Sequence, residues 1–232
     1  MCASRNRTGV DVPVITVDGP SGSGKGTISQ CLAEKLGWHH LDSGALYRLL
    51  AYAALQQAVP LDDEEALVQL AGQLSKSYQL PTSEQPAIML DGKDVGLDLR
   101  TETCAAAASR TAALPAVRQA LLAWQRHYRQ SPGLIADGRD MGTTVFPDAT
   151  LKLYLTARAE VRAERRYNQL KHKGINVDLG VLVKEVEARD LRDSSRKASP
   201  LMPADDAVIL DNSDQDEALT LQQVLQAVHE AL

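Results

Sequence analysis

Gly19, Pro20, Ser21, Gly22, Ser23, Gly24, Lys25, Gly26 and Thr27 read GPSGSGKGT, a glycine-rich run that ends in a lysine. Glycines let the backbone curl until successive N–H groups point into one hollow, and a helix starting there adds positive potential. Polyphosphate fits such a hollow. Lys25 can reach the β- and γ-phosphates of a nucleoside triphosphate, where a compact cation follows negative charge as it migrates during transfer. The residue after the lysine departs from the common pattern, because Gly26 stands where a Ser or Thr would ligate magnesium and Thr27 comes one position later. Switch GTPases and motors draw a metal ligand from that position. The chain is therefore expected to bind a triphosphate for another purpose.

Further along, LDSGALYR (41–48), ADGRDMGTTVFPDA (136–149) and RDLRDSSR (189–196) concentrate Arg and Asp. Arginine offers a permanent charge and a two-pronged donor matched to phosphate oxygens, which suits an acceptor that is itself phosphorylated. Such an acceptor needs no catalytic base, since a phosphate monoester with a second pKa of about 6 is already a dianion at neutral pH. Positioning and charge neutralisation would carry the rate. The His residues (39, 40, 127, 172 and 229) show no ligand spacing, and Tyr47, Trp124 and Tyr128 read as packing residues.

These residues need a frame. PVITVDG (13–19) is a β-branched apolar run, and Ile28, Cys31, Leu32 and Leu36 recur at helical spacing after Lys25, which predicts strand, turn and helix. A short extended piece at HHLD (39–42) leads to a second helix from Ser43, whose hydroxyl is expected to cap it. LDDEEALVQLAGQLS predicts a third helix with acids at its N-terminal end. Between Tyr78 and Val95, AIMLDGKDV centres on Asp91-Gly92, a hairpin signal that predicts a small antiparallel insertion. TETCAAAASRTAAL and PAVRQALLAWQRHYRQ predict helices, the latter with Pro115 in its first turn. GLIADG (133–138), LKLYL (151–155) and AVIL (207–210) predict further strands separated by helices. The sum is an α/β protein with a parallel sheet covered by helices on both faces. In such sheets ligands sit beyond the carboxyl ends of the strands, where the first two Arg/Asp stretches converge.

The 232 residues suffice for one compact enzyme domain, and the formal net charge of -5 argues against a nucleic-acid coat. The N-terminal MCASRNRTGVDV has no apolar leader and no run approaches a membrane span, so a cytoplasmic protein without a membrane partner is expected. Cys2, Cys31 and Cys104 lack metal or disulfide spacing and are assigned no chemistry. Arg158 to Lys197 carries eleven of the 25 basic residues against seven acids, a local excess of positive charge that could be a solvated helix face.

DGPSGSGKGT, LDSGALYR, LIADGRDMGTTVFPDA and RDLRDSSR, in this order and spacing, resemble the bacterial-type cytidylate kinases, which belong to the P-loop nucleoside monophosphate kinases. The resemblance runs from about Val12 to near the C-terminus, and DGRDMGTTVFPDA is its most specific stretch. It implies transfer of the γ-phosphoryl of ATP to CMP or dCMP on a P-loop NTPase-type fold, by a protein expected to be a monomer that binds no nucleic acid. Magnesium would be held mainly through phosphates and water. Residues 19–27 would form the ATP loop, and Arg48, Arg139 and Arg196 would hold the acceptor phosphate. Asp193 and Arg189 would meet the ribose, while Ser109, Arg118 and Asp140 would read the base. Arg162, Arg165 and Arg166 would lie on a mobile helical lid that closes over ATP, with Arg166 joining Lys25, Arg139 and Arg196 in catalysis. Ser43 would add an acceptor contact if its hydroxyl is not spent on capping. The implied division is a core (12–60, 132–157 and 198–232), an enlarged acceptor-binding insertion (61–131) and a lid (158–197).

Two other readings stay open at the level of the residues. One is a kinase for another small acceptor, either a different monophosphate or a hydroxyl such as shikimate's, and the hydroxyl would need a base, with Asp137 or Asp140 in that role, and fewer arginines. A slow nucleotide-hydrolysing switch would need a Ser or Thr directly after Lys25.

Overall fold

The computed structural model describes residues 12–78, 87–172, 174–196 and 198–232. The apolar runs form five parallel strands: β1 (Val14–Asp18), β2 (His39–Asp42), β5 (Leu134–Gly138), β6 (Leu151–Thr156) and β7 (Val208–Asp211), in the spatial order β2-β5-β1-β6-β7. β1 and β5 are buried along their whole length, as expected for strands covered on both faces. Register fixes what the site receives. Asp18 lies opposite Gly138 and Tyr154, and Asp42 lies opposite Asp137, so these strand ends open on one edge of the sheet.

One face packs α1 (Lys25–Leu36) and α8 (Glu217–Ala231) on Ile15, Val17, Ile135 and Leu153. The other carries a larger cluster, in which Val14, Leu41, Leu134 and Ala136 meet α2 (Ser43–Gln56), α3 (Glu64–Ser77), α4 (Glu102–Thr111) and α5 (Pro115–His127). Each fully buried Leu, Ile or Val there contributes roughly 1.5–3 kcal/mol of transfer free energy. α6 (Ala159–His172) and α7 (Leu179–Ser194) form a separate pair around Ala163, Leu182 and Val186.

Local chemistry explains the helix ends. Asp63, Thr101, Asp178 and Asp216 cap α3, α4, α7 and α8 by accepting backbone N–H groups. The cap expected at Ser43 belongs to Asp42 instead, whose Oδ1 accepts the Ala45 N–H at 3.0 Å. A carboxylate one residue earlier reaches the third helical amide, which leaves Ser43 buried inside the first turn. The hairpin forms as β3 (Met89–Leu90) and β4 (Lys93–Asp94), with positive φ at Asp91 (48°) and Gly92 (79°), as a tight two-residue turn requires. Residues 79–86 of that expected insertion lie outside the described residues.

One element had no periodic signal to announce it. Met141–Val145 is a single π-helical turn in which Phe146 N–H donates to Met141 O at 2.7 Å. Among the described residues no helix is long and apolar enough to cross a membrane.

Candidate active site

A cavity of about 1100 Å³ opens at the carboxyl ends of β1, β2 and β5, roofed by α6 and α7. The glycine run forms one wall. Gly19 must lack a side chain, because a Cβ there would lie 2.0 Å from the Leu155 carbonyl oxygen of the neighbouring strand. Ser21, Gly22, Gly24, Lys25, Gly26 and Thr27 reach the cavity, whereas Gly19, Pro20 and Ser23 support the loop from behind. Lys25 Nζ donates to Pro20 O at 3.3 Å. Burial first, and then the Arg139 guanidinium, depress the Lys25 pKa to about 7.

Two arginines of the expected lid are fastened to this loop. Arg162 is 4% exposed, donates to Ser21 O at 3.1 Å and to Ala157 O at 2.7 Å, and forks onto the Asp190 carboxylate. It braces the loop from the foot of α6, so its charge is already matched. Arg165 donates to Asn212 Oδ1 at 3.1 Å and to Asn212 O at 2.8 Å, while Asn212 Nδ2 donates to Ser23 O at 2.9 Å. Asn212 was missed in the sequence, because one amide in the polar stretch after β7 has no signature. Arg166 pairs with Glu102 of α4, joining the roof to the opposite wall.

On another side of the cavity, arginines from three distant stretches meet. Arg139 Nε donates to Asp193 Oδ2 at 2.9 Å, and Arg196 pairs with the other oxygen of that carboxylate. Burial pushes the Asp193 carboxyl up, but Arg139 and Arg196 outweigh it and hold it below the usual range. Arg189 lines the same space, its pKa drawn down to about 10 by burial and by Arg139, and its Nε is buried without a hydrogen-bond partner among the described residues. Arg48 reaches in from α2 and forms no ion pair among the described residues. Arg139, Arg189 and Arg196 thus gather about Asp193, and Arg48 lines the same cavity. The excess positive charge faces Lys25 across the cavity and suits a phosphorylated ligand.

A third corner is built for recognition. Arg118 pairs with Asp140, which is 3% exposed, and also donates to Ala112 O at 3.2 Å. Its guanidinium lies 5.6 Å from the centre of the Tyr47 ring, so Tyr47, expected only to pack, forms part of the cavity wall. Its position next to Arg48 on α2 was the available clue. Ser109 Oγ is buried at this wall with no hydrogen-bond partner among the described residues, a donor and acceptor left over. Ser43 lies behind the wall, its Oγ against Gly138, rather than in the cavity. Asp137, one of the two acids considered as a base, accepts from His40 Nε2 at 2.9 Å, and the other, Asp140, is taken up by Arg118.

The lining suits a polyphosphate at one end and an anionic, polar-edged molecule at the other. The sequence model of the cytidylate kinase family matches residues 15–231. Among curated proteins, the cytidylate kinase of Aeromonas salmonicida (strain A449) is 55% identical over 216 residues, covering 93% of this chain and 92% of its own. The cytidylate kinase of Shewanella sp. (strain W3-18-1) is 52% identical over 221 residues, covering 95% of this chain and 96% of its own.

Proposed function

The chain belongs to the cytidylate kinase family, and we propose that it transfers the γ-phosphoryl group of ATP to CMP or dCMP, releasing ADP and CDP or dCDP. The observation that carries this reading is the gathering of Arg139, Arg189 and Arg196 at Asp193, with Arg48 lining the cavity they share with Lys25. Two nucleotides repel one another through their phosphates, and this surplus of cations offsets that repulsion where the reacting groups meet.

In this reading residues 19–27 cradle the ATP phosphates and Lys25 follows the transferred charge. Arg48, Arg139 and Arg196 hold the acceptor phosphate, and Arg166 leaves Glu102 to neutralise the transition state. Asp193 and Arg189 contact the ribose. Ser109, Arg118 and Asp140 read the base, the carboxylate of Asp140 accepting from the exocyclic amine that uracil lacks. Arg162 and Arg165 act on ATP through the loop they brace. Magnesium travels with the phosphates and water, since Gly26 offers no side-chain oxygen after Lys25 and the Thr27 hydroxyl stands one residue further on. The ion supplies charge neutralisation on the phosphates. We further propose a cytoplasmic monomer whose partners are these nucleotides alone, built as a core, an acceptor-binding insertion over 61–131 and a lid over 158–197.

A coupled ADP-release assay tests the reading. Strong stimulation by CMP and dCMP, with weak response to UMP, AMP or shikimate, is the expected result. Turnover independent of any acceptor, or stimulated best by shikimate, would overturn it.

A further inference from the structure

Asp18 ends β1 directly before the glycine loop and is 4% exposed. Its carboxylate grips the other side of the site. Oδ1 accepts the Met141 N–H at 2.8 Å and Oδ2 accepts the Gly142 N–H at 2.8 Å. These amides open the π-helical turn, where N–H groups have no partner within the helix, and they directly follow Arg139 and Asp140. The turn has no slack against the sheet, since a Cβ on Gly142 would lie 2.9 Å from Thr16 Oγ1 and 3.2 Å from the Lys152 stem. One side chain thus joins the start of the donor loop to the segment that carries Arg139 and Asp140.

We propose that Asp18 is a positioning residue for the transfer, which holds Arg139 and Asp140 at a fixed distance from the glycine loop only while its carboxylate is ionised and accepts both N–H groups. The functional part of this inference rests on the cytidylate kinase reading. An ionised carboxylate offers an acceptor on each oxygen, whereas a protonated one turns an O–H toward one of the two amides and loses that bond. The groups facing Asp18 are Lys25 of α1, Asp140 of the turn and Tyr154 of β6, besides the two amides. Burial raises its pKa most strongly, the Gly142 and Met141 N–H groups oppose this, Asp140 adds to it and Lys25 subtracts, leaving it at about 7. Both amides are therefore held above neutrality, and one is released as the pH falls through about 7.

The amide resonances of Met141 and Gly142, followed from pH 5.5 to 8.5 without nucleotide, report this directly. The expected result is a sigmoidal shift centred near pH 7 in the wild type and absent in Asp18→Asn. Flat resonances in the wild type overturn the proposal, and that measurement stands even if the variant does not fold. The second readout is kcat/KM for CMP in the two proteins, whose ratio cancels the titration of CMP itself. About a tenfold deficit in Asp18→Asn at pH 8, shrinking to less than about twofold at pH 6, is expected from loss of one charge-assisted bond. KM for ATP should stay within about twofold. A deficit independent of pH marks a merely structural role and overturns the proposal. Titrating amides in a protein that CMP does not stimulate would instead overturn the cytidylate kinase reading.

Discussion

Arg139 Nε and Asp193 Oδ2 lie 2.9 Å apart, joining the end of β5 to α7 beneath the acceptor side of the cavity. Asp193 is 1% exposed and also holds Arg196, so removing it strands two largely buried cations. Asp193→Ala is expected to lose about 3–5 kcal/mol in denaturant unfolding, the usual cost of breaking a buried pair from one side. Millimolar phosphate should restore part of that loss by binding the freed guanidinium groups, a shift that wild-type protein would show more weakly.

Lys25 and Thr27 should separate in their effects. In the proposed function Lys25→Ala removes the cation that follows the migrating charge, and kcat is expected to fall by about 10²–10³-fold. Thr27→Ala should leave readily measurable transfer, because the position directly after the lysine is Gly26 and no side chain there ligates metal. Single-turnover rates check this, and equal losses in the two variants would refute the division of labour.

In the proposed function, discrimination of cytosine from uracil turns on Asp140. Asp140→Ala should cut the CMP preference over UMP by about 10–100-fold, in line with roughly 1–3 kcal/mol for one base-edge contact. The same variant frees Arg118, so its kcat/KM for CMP should fall further than that for UMP. Parallel kcat/KM values for the two nucleotides give the answer.

The depressed Lys25 has a calorimetric consequence. Burial and Arg139 bring its pKa to about 7, so above that pH much of it is neutral in the free protein. ATP phosphates favour the charged form, so binding at pH 8 should take up as much as about one proton. Titration calorimetry in buffers of different ionisation enthalpy measures the uptake, which should vanish in Lys25→Met.

The strand–turn–helix at Lys25, the hairpin at Asp91-Gly92 and the helix beginning at Pro115 could be read from sequence because each depends on neighbours in the chain. So could the Arg and Asp stretches that line the cavity. The rest depends on distant partners. Nothing local to Arg162 says that it will brace Ser21 O and fork onto Asp190, or that Asn212 will reach Ser23 O. Asp18 reads as the polar end of a strand until the fold brings Met141 and Gly142 onto it. Asp42 displaced Ser43 as a cap because either residue can serve, and the backbone angles decide.

The apolar cluster that runs without a break from Val14 and Leu134 through α2 to Leu67, Leu121 and Trp124 bears on how the chain could be cut or recombined. Excising 61–131 would remove α3, α4 and α5 and uncover the α2 side chains packed against them rather than trim an appendage, so that lobe should not survive as an independent fragment. Among the described residues the α6–α7 pair has Ala163, Leu182 and Val186 as its own buried apolar side chains, so its junction with the rest of the chain is made mainly by the polar ties of Arg162, Arg165, Arg166 and Asp193.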